Sequence, residues 1–218
     1  AAAGLIASYG RDQEREADKL GFASAVAHGY DPSAGADLWA RLKREEDTRK
    51  YQRRGVVFAT HTATDERMSD IRAAADALPD PPRERRRDEY RAAMRPFMDR
   101  WLAEELGRRR YASSLLVIGD LLADAPAEDH GLLAFYLGEA HRRRNATGDR
   151  AKAADLYARA IALPGAPAAT WREHGFALRE AGKKVDAIAA LKRYLDLAPQ
   201  ADDRAFVQRE LEKTGERP

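Results

Sequence analysis

The 218 residues include no cysteine, which excludes disulfide bonds and any metal site built on thiolates. Compartment stays open on that count, because cytosolic and periplasmic proteins can both lack cysteine. No run of about 18 apolar residues occurs, so the sequence offers no bilayer-spanning helix. A surplus of one charge is missing too: 38 Lys and Arg stand against 36 Asp and Glu, a net +2, too even for nucleic-acid binding as a main role. The strand formers Ile, Val and Thr are sparse beside Ala and Arg, which predicts helix nearly throughout and an all-α fold. Among the five histidines, His28, His61, His130, His141 and His174, no two stand four apart, so the zinc-binding helix motif His-Glu-x-x-His is absent.

What is present falls into two regions. A first helix is expected from about Tyr9 to Ala27, stopped by Gly29. The small apolar stretch Ala1 to Ala7 has no basic lead and is too short to cross a bilayer, and reads as a buried helix whose beginning lies outside the sequence. Asp31 caps a second helix with Pro32 at its first position, and Leu38, Trp39 and Leu42 form its apolar stripe. That helix fades at Lys43 to Asp47, and the chain to Ala59 reads as a mobile loop. Thr64 caps a third helix carrying Met68, Ile71, Ala75 and Leu78. Pro79-Asp80-Pro81-Pro82 stops it, giving a first domain over 1–78 and a linker over 79–87.

Over 88–213 the organisation changes to repeated helix pairs. Trp171, Gly175, Gly182, Ala187, Leu191 and Pro199 follow the spacing of a tetratricopeptide repeat of about 34 residues. Gly138, Gly148, Ala153, Tyr157, Ala160 and Pro164 mark a preceding unit with a three-residue insertion near Asn145. Met98, Trp101, Leu102, Ser114, Ile118, Leu121 and Pro126 mark a weaker one, and a helix around Ala205 to Leu211 serves as the cap. Stacked repeats present a concave face suited to peptide segments. By the repeat offsets its lining is Phe135, Arg142, Arg143, Arg172, Phe176 and Arg179, which suits an acidic or carboxylate-bearing partner. The bland reading of Arg142-Arg143-Arg144 is a solvated helix end.

The residues that point to chemistry lie near the start. In Glu14-Arg15-Glu16-Ala17-Asp18 the carboxylates of Glu14 and Asp18 fall one helical turn apart, an arrangement that repels itself unless a cation joins it. Glu16 points about 200° away from Glu14 on the helix. This wording, with the Gly-Tyr-Asp-Pro turn at Gly29 to Pro32 and the segment Thr60-His61-Thr62-Ala63-Thr64-Asp65-Glu66-Arg67, resembles the HtpX-like and BepA-like zinc metallopeptidases, relatives of the CAAX prenyl proteases. The resemblance implies the C-terminal helical portion of a zincin peptidase domain followed by a tetratricopeptide-repeat α-solenoid. It makes Glu14 the carboxylate ligand to zinc and Asp18 the acceptor of a hydrogen bond from a ligand histidine. It places His61 near the zinc and makes Arg67 an organiser of the site, although Thr62 stands where the family has proline.

The same resemblance implies a zinc metalloendopeptidase of periplasmic quality control or outer-membrane protein assembly. Its repeats would hold protein or peptide substrates and assembly-machine partners, with no nucleic acid and with peripheral membrane association compatible. Without His-Glu-x-x-His the 218 residues are expected to be inactive alone and to retain no zinc. The alternative is a non-catalytic tetratricopeptide-repeat adaptor in which residues 1–78 are only a helical platform.

Overall fold

The computed structural model describes residues 2–48 and 64–216. Among these the fold is all-α, with no strand and a single isolated bridge between Tyr30 and Glu84. None of the described helices is long and apolar enough to cross a membrane. Two compact units divide at Pro96 and Phe97.

The first unit holds α1 (Ala2–Ala27), α2 (Ala34–Thr48) and α3 (Thr64–Asp76). Helix α1 begins well before the expected Tyr9 and ends at Ala27, followed by Gly29, whose φ of +77° is the left-handed geometry that suits glycine. Asp31 caps the approach to α2, accepting the Ser33 amide at 2.9 Å. The apolar core here is thin: Ala36, Ile71 and Ala75 are buried, while Leu38 and Leu42 are exposed together with Leu20 of α1. Of the stripe expected on α2, Leu38 and Leu42 therefore find no cover among the described residues while Trp39 is half-buried, and Ala36 is what α2 buries. The loop expected before Ala59 lies largely outside the described residues.

The expected linker over 79–87 is instead docked on the first unit. Asp31 donates its amide to the Glu84 carbonyl at 2.9 Å. Arg85 reaches the carboxylates of Asp31 at 2.7 Å and Asp37 at 2.8 Å, and the Ser33 hydroxyl. Burial pushes the Asp31 carboxyl up, but hydrogen bonds from Ser33 and Arg85 outweigh it and leave the group below its ordinary value. The chain then enters α4 (Arg87–Gly107). The boundary between units falls inside that helix at Pro96, which has no amide hydrogen to give to the helical ladder.

The second unit continues through α5 (Tyr111–Asp124), a short 3-10 turn (Ala127–Asp129), α6 (His130–Arg144), α7 (Asp149–Ala160), α8 (Ala169–Glu180), α9 (Lys184–Leu197) and α10 (Arg204–Glu216). Short connections make neighbours pack as pairs, α5 with α6, α6 with α7, α8 with α9, and α9 with α10. Leu102, Leu106, Ile118, Leu133 and Tyr157 build one core and Leu191, Tyr194, Leu195 and Val207 another. Trp101 and Leu121, two of the positions that mark the weaker repeat, are exposed. Close approach explains two glycines. A methyl group at Gly138 would lie 2.7 Å from the Tyr157 ring, and one at Gly175 would lie 2.8 Å from Leu191.

Those contacts give a paired test. Gly138→Ala is expected to lower stability by about 1–3 kcal/mol through overpacking. Gly119→Ala in α5, where an added methyl meets nothing within 4 Å, is expected to raise it by about 0.5–1 kcal/mol. Urea unfolding of the two variants beside the parent checks both signs, and equal shifts would remove the packing explanation.

Candidate functional site

Helix α1 carries Glu14 and Asp18 on successive turns, and α3 brings Arg67 between them. Arg67 Nη1 lies 2.7 Å from Glu14 Oε2, while its Nη2 and Nε donate to the two Asp18 oxygens at 2.6 and 2.7 Å. The Asp18 contact is bidentate, the geometry in which a guanidinium and a carboxylate fit best. Trp39 of α2 closes the cluster from the other side, with the guanidinium carbon 3.9 Å from the ring centroid. Arg67 is 6% exposed. Its hydrogen bond to Asp18 and the charges of Asp18 and Glu14 outweigh burial and raise its pKa, so it stays cationic. An outer pair between Arg15 and Glu66 repeats the α1 to α3 link at the surface.

The repulsion that the Glu14 and Asp18 spacing implies is thus relieved by an arginine 49 residues on from Asp18. Sequence reading singled out Glu14, Asp18 and Arg67 separately, and the fold brings them together. It missed Trp39, whose place in an apolar stripe gave no sign of cation–π packing. His61 lies outside the described residues.

Of the six residues assigned to a peptide-binding face, several are engaged internally. Phe135 is 7% exposed and packs edge-on to Tyr136 and against Tyr157, so it belongs to the core. Arg142 donates to both oxygens of buried Glu139, at 2.8 and 2.7 Å, and lies 3.3 Å from Glu173; Arg143 lies 3.1 Å from Glu139. Burial pushes the Glu139 carboxyl up, yet Arg142 and the Tyr157 hydroxyl, 2.7 Å away, hold it below its ordinary value. Arg172 pairs with Glu173 and Asp203, and Arg179 with Glu210. Arg144 is partly exposed and, with His141 and the Ala146 amide, also binds Asp149, which is fully buried. The arginine run is thus a helix end that is both exposed and ion-paired. Some of these carboxylates are helical neighbours, Glu139 for Arg142 and Arg143 and Glu173 for Arg172, while Glu173 for Arg142, Asp203 for Arg172 and Glu210 for Arg179 are brought up by the fold.

A catalytic zinc takes three protein ligands and a water. Among the described residues no three His, Asp or Glu side chains cluster as a metal site. The donor set is compatible with one carboxylate ligand, Glu14, whose Oε2 is shared with Arg67. Further ligands would have to come from outside the described residues.

Residues 1–75 match the family profile described as Peptidase family M48, so the matched part is the first 75 of 218 residues. Neither the curated proteins nor the solved structures gave a match to the chain.

Proposed function

We propose, from the match of residues 1–75 to peptidase family M48, that the first unit is the C-terminal helical portion of a zinc metallopeptidase domain. The observation that carries this is the Glu14, Asp18 and Arg67 cluster inside the matched region. Glu14 supplies a carboxylate of the kind that zinc accepts, and Arg67, itself held by Asp18, fixes its direction. When bound, zinc would supply an activated water for peptide hydrolysis. The exposure of Leu20, Leu38 and Leu42 suits a unit that packs against further polypeptide. His61 is proposed to lie near the metal, on resemblance alone.

The second unit is proposed to be a tetratricopeptide-repeat array that holds peptide or protein partners. Its support is the recurrent pairing of a glycine with a bulky residue of the next helix, Gly138 with Tyr157 and Gly175 with Leu191. A role in the bacterial envelope, in protein quality control or outer-membrane assembly, is part of this proposal. One observation favours the adaptor reading instead: Arg67 already satisfies both carboxylates without a metal.

The test is the complete open reading frame. If it encodes His-Glu-x-x-His, its purified product is expected to cleave casein with zinc, and Glu14→Gln is expected to abolish both activity and stoichiometric zinc. Retention of zinc and activity in Glu14→Gln would remove Glu14 from the ligand set. An open reading frame without the motif would favour the adaptor.

A further inference from the structure

Within the second unit, backbones approach most closely inside the helix pairs α6 with α7 and α8 with α9, and less where α7 meets α8 and α9 meets α10. The first helices of successive pairs, α6, α8 and α10, are joined chiefly by side chains. Arg142 of α6 lies 3.3 Å from Glu173 of α8. Arg172 of α8 reaches Asp203 just before α10, and Arg179 Nη1 of α8 donates to Glu210 of α10 at 2.6 Å. In all three the carboxylate stands 31 residues after the arginine, close to the repeat length of about 34. The bridges thus recur with the helix pairs.

Two of them are anchored in the core of a pair. Glu139, which Arg142 also holds, accepts from the hydroxyl of buried Tyr157 of α7 at 2.7 Å. Asp203 accepts from the hydroxyl of buried Tyr194 of α9, and the Arg172 guanidinium lies 5.5 Å from the Tyr194 ring centroid. Phe176, between Arg172 and Arg179 on α8, meets Phe206 of α10 edge-on at 6.1 Å. A contact of α7 with α8 alone is a line about which two helix pairs can rock. A bridge from α6 to α8 adds a second line and fixes the angle, and the bridges from α8 to α10 do the same at the next junction.

We propose that these arginine bridges are struts that set the angle between successive helix pairs, and that their release lets the pairs shear and changes the curvature of the array. The device acts within the second unit and needs no partner, so it stands apart from both the metallopeptidase reading and the peptide-binding role.

The chain has no cysteine, so a nitroxide pair can be placed at Ala151→Cys on α7 and Gln208→Cys on α10, both exposed positions. Double electron–electron resonance on the 218-residue chain then reads the distance across both junctions. The parent is expected to give one narrow distribution. Arg172→Gln with Arg179→Gln is expected to broaden it and to move its mean by about 2 Å or more, the scale of helix shear. The Arg179 side chain is 34% exposed, so Arg179→Gln alone is expected to keep the fold and give a smaller shift. Glu210→Gln, and Arg179→Gln combined with Glu210→Gln, are expected to give that same smaller shift, because each removes one and the same bridge. Lys192→Gln, at an exposed position of α9, is expected to change nothing. An unmoved distribution in the double arginine variant, with helix content intact by circular dichroism, would overturn the struts. Additive shifts from Arg179→Gln and Glu210→Gln, or an equal shift from Lys192→Gln, would overturn them too. Should the double arginine variant lose helix, the cycle of Arg179→Gln with Glu210→Gln decides between the same outcomes.

Discussion

Asp149→Ala is expected to destabilise the second unit by about 1–3 kcal/mol, because it removes the buried acceptor shared by the Ala146 amide, the His141 ring and the partly exposed Arg144 guanidinium. Asp149 sits at the first position of α7, fully buried. Its two oxygens accept from Arg144 Nη2 and Nε at 2.7 and 2.8 Å, from His141 Nδ1 at 2.7 Å and from the Ala146 amide at 2.8 Å. One carboxylate thus ties the end of α6 to the start of α7 across the turn at Asn145, whose φ of +51° is left-handed. The arginine, ahead of burial acting the other way, holds the Asp149 carboxyl well below the usual carboxylate range.

The pH dependence follows in sign. A carboxyl whose folded pKa lies below its unfolded pKa of about 3.9 contributes its full stabilisation above that value. The contribution is lost as pH falls from there toward the folded pKa. Glu139, also held below its ordinary value, acts in the same direction. Thermal unfolding by circular dichroism at pH 7 and pH 3, with hydrogen exchange of α6 and α7 peptides locating the transition, should show a large acid loss in the parent. Asp149→Asn should be less stable at pH 7 and lose less between the two pH values. Parallel losses in parent and variant would show that the acid sensitivity lies elsewhere.

Arg67→Ala carries the second large effect, an expected loss of about 2–3 kcal/mol in the first unit. The apolar core there is thin, and removal of the guanidinium leaves Glu14 and Asp18 facing each other one turn apart, with Trp39 uncovered. Arg67→Lys is expected to recover less than half, since an ammonium cannot make the bidentate contact with Asp18 or stack on the ring in the same way. Hydrogen exchange of α1 and α3 peptides should rise in Arg67→Ala, while Arg67→Ala with Glu14→Gln and Asp18→Asn should regain much of the loss. If α1 and α3 exchange unchanged in the single variant, the cluster is not what joins these helices.

The two predictions concern charges that the sequence displayed but could not pair. Composition and local signals fixed much of the rest. Few strand formers and good helix formers dictated an all-α chain. Gly29 marked the end of α1 because few other residues take its backbone geometry readily. Thr64 stood at the start of α3, and the regular offsets of glycine, alanine and leucine announced helix pairs because each pair needs a small residue opposite a large one. These are properties of a few neighbouring residues, and neighbours in sequence suffice to read them.

Pairing over distance was a different matter. Periodicity put Leu38 and Leu42 on an apolar face, yet both stay exposed among the described residues, since what covers a stripe depends on which surface meets it. Offsets put Phe135 on a binding face, yet Tyr136 and Tyr157 take it into the core. A proline-rich stretch read as a linker, yet Arg85 within it reaches back to Asp31 and Asp37. By itself the sequence determined helix, turn and the candidate carboxylates Glu14 and Asp18. Only the tertiary structure decided that Arg67 and Trp39 close around them, and that Arg142 and Arg144 reach the buried acids Glu173 and Asp149. The reason is that side-chain ion pairs are chosen by proximity in space, and a guanidinium on a long side chain can answer any carboxylate the fold brings within reach.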